Sequence, residues 1–266
     1  MGFIKQLKSY DVWQQMRHIS LEDMNSVRLM NRIDTKYVTH QRNLLPILQR
    51  AAEKNYNVFC ETTVLNHYLS TYYDTPSLVM YTMHHNRRLH RQKIRCRTYV
   101  DTDVSFLEIK DKNNKGRTKK VRMPISCCSI ENLRQKSEVA DFISTHSPFV
   151  FSELIPALQT DFYRITLVNE EKTERITIDI HLTFNNCING TDGALDDVII
   201  IELKQDGRYV STMRNILREL RIKPFRLSKY CIGIAITTPQ VKANRFKYKL
   251  HLIDKLKKYN ERYFIV

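Results

Sequence analysis

The chain has 266 residues, and its 43 lysines and arginines exceed its 28 aspartates and glutamates, which gives a formal net charge of +15. Because only 6 glycines and 7 prolines leave few places for a flexible joint, we expect a single domain over residues 1–266. The charge favours an anionic partner such as phosphate chains, nucleic acid or an acidic membrane surface, while the absence of any run of about 20 apolar residues predicts no membrane-spanning helix.

Cysteine usage and the first residues bear on the compartment. The six cysteines include no C-x-x-C pair and no spacing typical of a zinc site. The segment Met1–Lys5 lacks the long apolar core of a secretory leader. We therefore expect reduced thiols and a cytoplasmic location, with any membrane association made through surface charge or a membrane-protein partner.

The first third of the chain predicts helices and strands in alternation. Ser20 precedes two acidic residues, as an N-cap does, and apolar residues recur at helical spacing after Asn43. Pro76 suits the first turn of a further helix. In chain order, the predicted elements are a helix at 21–30, a strand at 31–39, a helix at 43–55, a strand at 62–73 and a helix ending at about 83.

The remainder predicts mostly strands, the first three of them joined by tight polar turns as an antiparallel meander. The helix at 208–221 is predicted from Val210, Met213, Ile216, Leu217 and Leu220 along one side. The predicted strands are 88–100, 104–112, 117–125, 160–168, 174–183 and 197–205. The predicted helices are 129–146, 152–157, 208–221, one capped by Ser228 and running to 236, and a basic helical tail within 241–266.

Four of these strands alternate charged and apolar residues with a period of two, which places the charges on one face. The charged positions are Lys93, Arg95 and Arg97; Glu108, Lys110 and Lys112; Arg175 and Asp179; and Glu202 and Lys204. One interpretation is that the strands converge on a polyanion, inside a barrel that aims the cations at one lumen. The other is a solvated outer face, since half-exposed antiparallel strands alternate in the same way.

Seven short motifs follow one another in the order seen in a known family. They are Arg32-x-x-Thr35-Lys36-Tyr37-x-x-His40, Tyr72-Tyr73-Asp74, Lys93-x-Arg95-x-Arg97, Glu108-Ile109-Lys110-x-Lys112, Arg175-Ile-Thr-Ile-Asp179, Ile201-Glu202-x-Lys204 and Arg226-x-Ser228-Lys229-Tyr230. Together they span a core of about 30–236. The chain resembles the VTC (vacuolar transporter chaperone) domain, the polyphosphate polymerase branch of the triphosphate tunnel metalloenzyme (CYTH-like) superfamily.

This resemblance implies an α+β fold in which an eight-stranded antiparallel β-barrel, the triphosphate tunnel, is surrounded by helices. It implies metal-dependent transfer of the terminal phosphate of ATP or another nucleoside triphosphate to a growing polyphosphate chain. Catalytic roles are implied for Tyr163, Arg164 and Lys229, with Tyr163 beside the transferred phosphate, and Glu202 would bind Mn²⁺ or Mg²⁺. The implied phosphate-binding residues are Lys36, Arg95, Arg97, Lys110, Lys120, Arg122, Arg175, Lys204 and Arg226.

The chain departs from the wider superfamily near its start. Arg32-x-Asp34-x-Lys36 stands where that superfamily has Glu-x-Glu-x-Lys, so one carboxylate is kept and the other is lost. This pattern is closer to the polymerase branch than to adenylyl cyclases or thiamine triphosphatases. Two alternatives stay open: an inorganic triphosphatase that uses the same tunnel, and a non-catalytic polyphosphate-binding accessory protein.

The remaining sequence features concern nucleic acid and the basic C-terminal residues. No nucleic-acid-binding motif is present, so we expect no specific nucleic-acid partner. The basic C-terminal residues are those of a solvated helix face, or, in a second interpretation, of a docking site for anionic lipid or polyphosphate.

Overall fold

A computed structural model of the chain describes residues 2–25, 27, 32–115, 117–126 and 129–258. The strands are β1 (His18–Ile19), β2 (Arg32–His40), β3 (Asn57–Phe59), β4 (Asn66–Asp74), β5 (Arg91–Tyr99), β6 (Val104–Lys112), β7 (Thr118–Ile125), β8 (Ile155–Val168), β9 (Glu174–Asn186), β10 (Asp192–Leu195) and β11 (Val198–Asp206). The helices are α1 (Gly2–Lys8), α2 (Leu21–Asn25), α3 (Leu44–Glu53), α4 (Val79–His85), α5 (Ile130–Arg134), α6 (Ser137–His146), α7 (Thr212–Glu219), α8 (Lys229–Thr237) and α9 (Lys247–Lys257).

Most predicted elements are present, with four differences. The predicted helix at 152–157 is wrong: a 3-10 turn over Phe151–Glu153 leads directly into β8, whose long apolar alternation extends to Ile155. The helix predicted at 129–146 is two helices, α5 and α6. Val210 is 87% exposed and precedes α7, because Ser211 caps that helix. The short strands β1, β3 and β10 were not predicted. Parts of the predictions at 21–30, 31–39 and 241–266 lie outside the described residues.

Eight strands form a continuous antiparallel path in the order β2-β11-β9-β8-β4-β5-β6-β7, which confirms the predicted α+β class and its eight antiparallel strands. The predicted closure into a barrel is wrong. Among the described strands, β2 pairs only with β11, and β7 pairs only with β6. β2 and β7 are therefore open edges, and a closed barrel would need backbone hydrogen bonds between them that the described residues do not make.

The core lies on both sides of the sheet. A cluster formed by α3, α7 and apolar residues of β8, β9 and β11 includes Ile47, Ile178 and Leu217. A second cluster contains most of α8 together with Leu158 and Phe184. The sheet is therefore covered on one face by amphipathic helices and partly filled on the other by the apolar helix α8.

Helix α8 packs very closely on the sheet and carries one predicted site residue at its start. Ser228 caps it, its hydroxyl accepting a hydrogen bond from the backbone N–H of Cys231. A methyl group added at Gly233 would meet Leu158 Cδ2 at 2.4 Å, so only glycine allows this approach. Leu158 shares a face of β8 with Arg164 because the two are an even number of residues apart. The N-terminus of α8 is thereby held over the charged part of that face.

Over the described residues, no helix is both long and apolar enough to cross a membrane.

Candidate functional site

The cross-strand register brings the charged residues of seven strands to one face of the sheet. Lys36 lies opposite Glu202, Arg164 opposite Asp179, Arg95 opposite Glu108, and Lys93 opposite Lys110. Lys229, at the start of α8, reaches the same face. We call this side the cationic face, and its cations are Lys36, Lys93, Arg95, Arg97, Lys110, Lys120, Arg122, Arg164, Arg175, Lys204 and Lys229.

Glu108 organises the cations on β5 and β7. Its side chain is fully buried, and its Oε2 accepts hydrogen bonds from Arg95 Nε at 2.7 Å and from Arg95 Nη2 at 2.5 Å. Lys120 contacts the other carboxylate oxygen. Arg95 Nη1 donates to the Tyr72 hydroxyl at 3.2 Å. Burial alone would raise the pKa of Glu108, but Arg95 and Arg97 outweigh it and hold that pKa well below its ordinary value.

Asp179 organises a second group at the centre of the sheet. Arg164 binds it in a two-pronged contact, with Nε 2.5 Å from Oδ1 and Nη2 2.9 Å from Oδ2, and Lys229 Nζ lies 2.6 Å from Oδ2. Although burial opposes its charge, Arg164 and Lys229 keep the pKa of Asp179 far below normal. The ring of Phe162 lies under the ammonium of Lys229, with 2.9 Å between the nitrogen and the ring centroid.

Glu202 is the third carboxylate of the cationic face, half-buried and less enclosed than Glu108 and Asp179. Lys36 Nζ lies 2.9 Å from Oε1, Lys204 Nζ lies 3.9 Å from Oε2, and the carboxylate side chain keeps 20% of its surface exposed. Burial alone would raise the pKa of Glu202, but the charges of Lys204 and Lys36 outweigh burial and lower this pKa below its ordinary value. Glu202 is therefore ionised at neutral pH. Among the described residues, no three or more histidines, cysteines, aspartates or glutamates are grouped so as to hold a metal ion.

Several cations of the face have no ion pair with a described carboxylate. They are Lys93, Arg97, Lys110, Arg122 and Arg175. Arg97 donates to Ser70, and Lys93 donates to Ser228 at 3.0 Å. The buried Nε of Arg175 and the buried hydroxyl of Thr177 have no hydrogen-bond partner among the described residues.

Crowding of like charges is visible in the pKa values of the lysines. Arg95, burial and Arg97 together lower the pKa of Lys110 well below its ordinary value. Burial lowers the pKa of Lys204 to about 8, with further lowering by Arg175 and Arg164, although Glu202 opposes this. The face therefore carries more positive charge than its own carboxylates stabilise, which is the condition for binding a polyanion.

The structure does not bring all predicted site residues together. Tyr163 was expected beside the transferred phosphate, but its side chain points to the opposite face of β8, where it stacks on His67 with 4.6 Å between ring centroids. The physical reason is that Arg164 already occupies the cationic face and adjacent strand residues point in opposite directions. Arg226 lies in the loop before α8, exposed, where its charge acts on Lys112 and Lys249 at the rim of the face.

Several residues of the face were absent from the predicted set. Lys93 was grouped with Arg95 and Arg97 by alternation but was given no role. The aromatic pair Tyr68 and Phe162 was given no role either, yet the rings stack with 5.4 Å between their centroids and support Arg97 and Arg164. Phe162 stands two residues before Arg164, so strict alternation along β8 was the signal that could have found it.

Comparison with known proteins decides the family. A model of the VTC domain matches residues 31–238, most of the chain. The chain belongs to the VTC domain family. The family assignment and the excess of cations on one face together indicate that this VTC domain handles phosphate. Among curated proteins, none matches the chain.

Solved structures similar to this VTC domain are distant in sequence. A candidate adenylate cyclase of Bacillus halodurans is 13% identical, over 82% of this chain and 100% of that one, with a TM-score of 0.48. Another from Vibrio parahaemolyticus is 12% identical, over 77% of this chain and 99% of that one, with a TM-score of 0.47. A candidate adenylyl cyclase of Hippeastrum, described as having a dominant triphosphatase activity, is 13% identical. The match covers 77% of this chain and 96% of that one, with a TM-score of 0.49.

Proposed function

We propose that this chain is a polyphosphate polymerase that transfers the terminal phosphate of ATP or another nucleoside triphosphate to a growing polyphosphate chain on the cationic face. The observation that carries the proposal is the group of buried or half-buried cations that have no ion pair with a described carboxylate, above all Arg97, Lys110 and Arg175. Their repulsion is relieved only when an anion binds, and a phosphate chain offers repeated negative charge along the length of the strands.

The geometry suits phosphoryl transfer because this reaction depends mainly on positioning and on stabilising charge. Arginine side chains such as Arg97 and Arg164 can grip phosphate oxygens with two parallel hydrogen bonds. Lys229 adds a point charge from another element, which allows it to contact a phosphate that the strands already hold. The acceptor is the terminal phosphate of the chain, so no nucleophilic side chain is required.

The residues present fit a divalent metal ion if the substrate completes its ligands. Glu202 is ionised and partly exposed, and Mg²⁺ or Mn²⁺ is commonly bound by one or two carboxylates together with substrate phosphates and water. When bound there, the ion would neutralise charge on the transferred phosphate. To bind it, Glu202 must loosen its contacts with Lys36 and Lys204, whose charges would then turn to the phosphates.

Product analysis tests the proposal. The purified chain is incubated with γ-labelled ATP, Mn²⁺ and a short polyphosphate primer, and the products are separated on a gel that resolves long chains from orthophosphate. We expect label in chains longer than the primer. Label in orthophosphate alone would instead identify a triphosphatase, in which water replaces the chain as acceptor. Binding of polyphosphate without any consumption of ATP would identify an accessory binding protein.

A matched pair of variants connects that activity to the face. Arg97→Ala removes a cation that has no ion pair with a described carboxylate, so chain elongation should fall while the fold is kept. Arg218→Ala removes an exposed arginine of α7, which packs on the opposite side of the sheet, and elongation should be unchanged. Equal activity in the two variants would place the reaction elsewhere.

A further inference from the structure

A small apolar patch interrupts the cationic face at one end. Tyr99 lies directly opposite Val104 across the β5–β6 pair, and Phe106 lies opposite Arg97. By strand alternation all three side chains point to the same side as Arg97. Val104 is 42% exposed, and Tyr99 and Phe106 are half-buried.

The rings of this patch differ from those deeper on the face. Tyr68 and Phe162 are buried and stack on each other, and the guanidinium groups of Arg97 and Arg164 cover them. Tyr99 packs against Tyr68 with 5.0 Å between centroids and meets Phe106 edge to face at 6.0 Å. These two outer rings keep part of their surface exposed, next to the exposed side chain of Val104.

Position and charge indicate the kind of molecule that would cover the patch. Tyr99 is two residues beyond Arg97 on β5, about 7 Å further along the strand. A ligand whose phosphates are held by Arg97 and Arg164 would therefore place its next chemical group over the rings. Arg122, whose Cζ lies 4.6 Å from the ring centroid of Phe106, adds a planar cation beside them. Flat rings and guanidinium groups are the side chains on which nucleobases stack.

We propose that Tyr99 and Phe106 form the binding site for the nucleobase of a nucleoside triphosphate whose phosphates lie on the cationic face. The inference rests on the proposed function and assigns a location to the donor nucleotide: its base occupies this end, and its phosphates point along the strands towards Lys229. Because every base has a stacking face, the site selects a nucleotide over an inorganic phosphate chain but does not distinguish strongly among bases.

Comparison of two ligands that bind the same 266-residue chain isolates the contribution of the base. Affinities for a non-hydrolysable ATP analogue and for tripolyphosphate are measured by calorimetry in the wild type and in Tyr99→Leu and Phe106→Leu. Each substitution retains apolar volume but removes a ring. We expect the affinity for the ATP analogue to fall about tenfold and the affinity for tripolyphosphate to stay unchanged. Tyr99→Phe should restore binding of the analogue, and Tyr248→Leu, on an exposed ring of α9, should affect neither ligand.

The outcomes separate this inference from the function on which it rests. Equal weakening of both ligands, or no change in either, would overturn the nucleobase site while leaving phosphate binding on the cationic face intact. Failure of both ligands to bind the wild-type chain would overturn the proposed function and the nucleobase site together. A variant that fails to fold is recognised by its thermal unfolding curve, independently of ligand binding, and the other ring variant then decides.

Discussion

Glu108 and Glu202 each contact two cations, but their surroundings give them different tasks. Glu108 is fully buried, and it holds Arg95 and Lys120 in place. Glu202 keeps part of its surface exposed beside Lys36 and Lys204. A carboxylate that is enclosed by its partners supports the structure, whereas one that remains accessible can exchange a lysine for a metal ion.

Replacement of Glu202 by glutamine tests the metal-ligand role. We expect Glu202→Gln to reduce metal-dependent turnover on the order of 100-fold, because a neutral amide is a poor ligand for a hard divalent ion. Tripolyphosphate binding measured by calorimetry should be retained or tightened, since a negative charge has been removed from the face.

The control is Glu108→Gln, which should lower the free energy of unfolding by about 3 kcal/mol, because Arg95 then lacks its buried counter-charge. Denaturant unfolding measures this loss. Turnover at the wild-type rate in Glu202→Gln would remove Glu202 from the reaction.

Lys229 is positioned to act on the transferred phosphate. It contacts Asp179 and Phe162 from the start of α8, whereas the other cations of the face project from strands. We expect Lys229→Met to lower kcat more than it weakens ATP binding, because charge stabilisation matters most as the phosphoryl group moves. Steady-state kinetics and calorimetry give the two quantities. A rise in KM with an unchanged kcat would show that Lys229 only holds the substrate.

At the scale of elements, the contact between α8 and the sheet controls where Lys229 lies. In Gly233→Ala the new methyl group would be 2.4 Å from Leu158 and 2.6 Å from Phe184, too close for van der Waals contact. We expect a loss of about 1–3 kcal/mol in the free energy of unfolding, together with lower turnover, because α8 or the side chains of Leu158 and Phe184 must shift. Gly193→Ala meets its nearest atoms at 3.1 Å and serves as the milder control. Equal stability in these two variants would contradict the close packing of α8.

Much of the cationic face could be predicted at this scale because side-chain direction in a strand is a local property. The period of two correctly grouped Lys93, Arg95 and Arg97 and grouped Glu202 with Lys204. The same rule contradicts a shared site for Tyr163 and Arg164, which are adjacent on β8. The open edges of β2 and β7 depend on contacts between distant parts of the chain, and the alternation within one strand carries no information about them.

At the scale of the whole molecule, the crowded lysines should make stability depend on pH. The pKa of Lys204 is about 8 in the folded chain, against an ordinary value of 10.5. From about pH 8 upwards the unfolded chain therefore binds more protons at this residue than the folded chain does, and stability rises with pH. Above about pH 9 the raised pKa values of buried thiols such as Cys231 oppose this trend.

We expect the melting temperature, measured without any polyanion, to rise between pH 7.5 and 8.5. The rise should be about 2–4 °C for each kcal/mol gained in the free energy of unfolding. The rise should be smaller in Lys204→Met, which has no titrating amine. If the melting temperature rose equally with pH in the two proteins, the charge on Lys204 would not be destabilising the folded chain.

The proposed function requires that the cationic face, and no other surface, holds the phosphate chain. The most direct measurement is a crystal structure of the chain with tripolyphosphate and Mn²⁺. We predict phosphates in contact with Arg97, Lys110 and Arg164, with the metal ion bound between the phosphates and Glu202. Phosphates bound along the basic helix α9, with the cationic face free of ligand at a saturating concentration, would contradict the account.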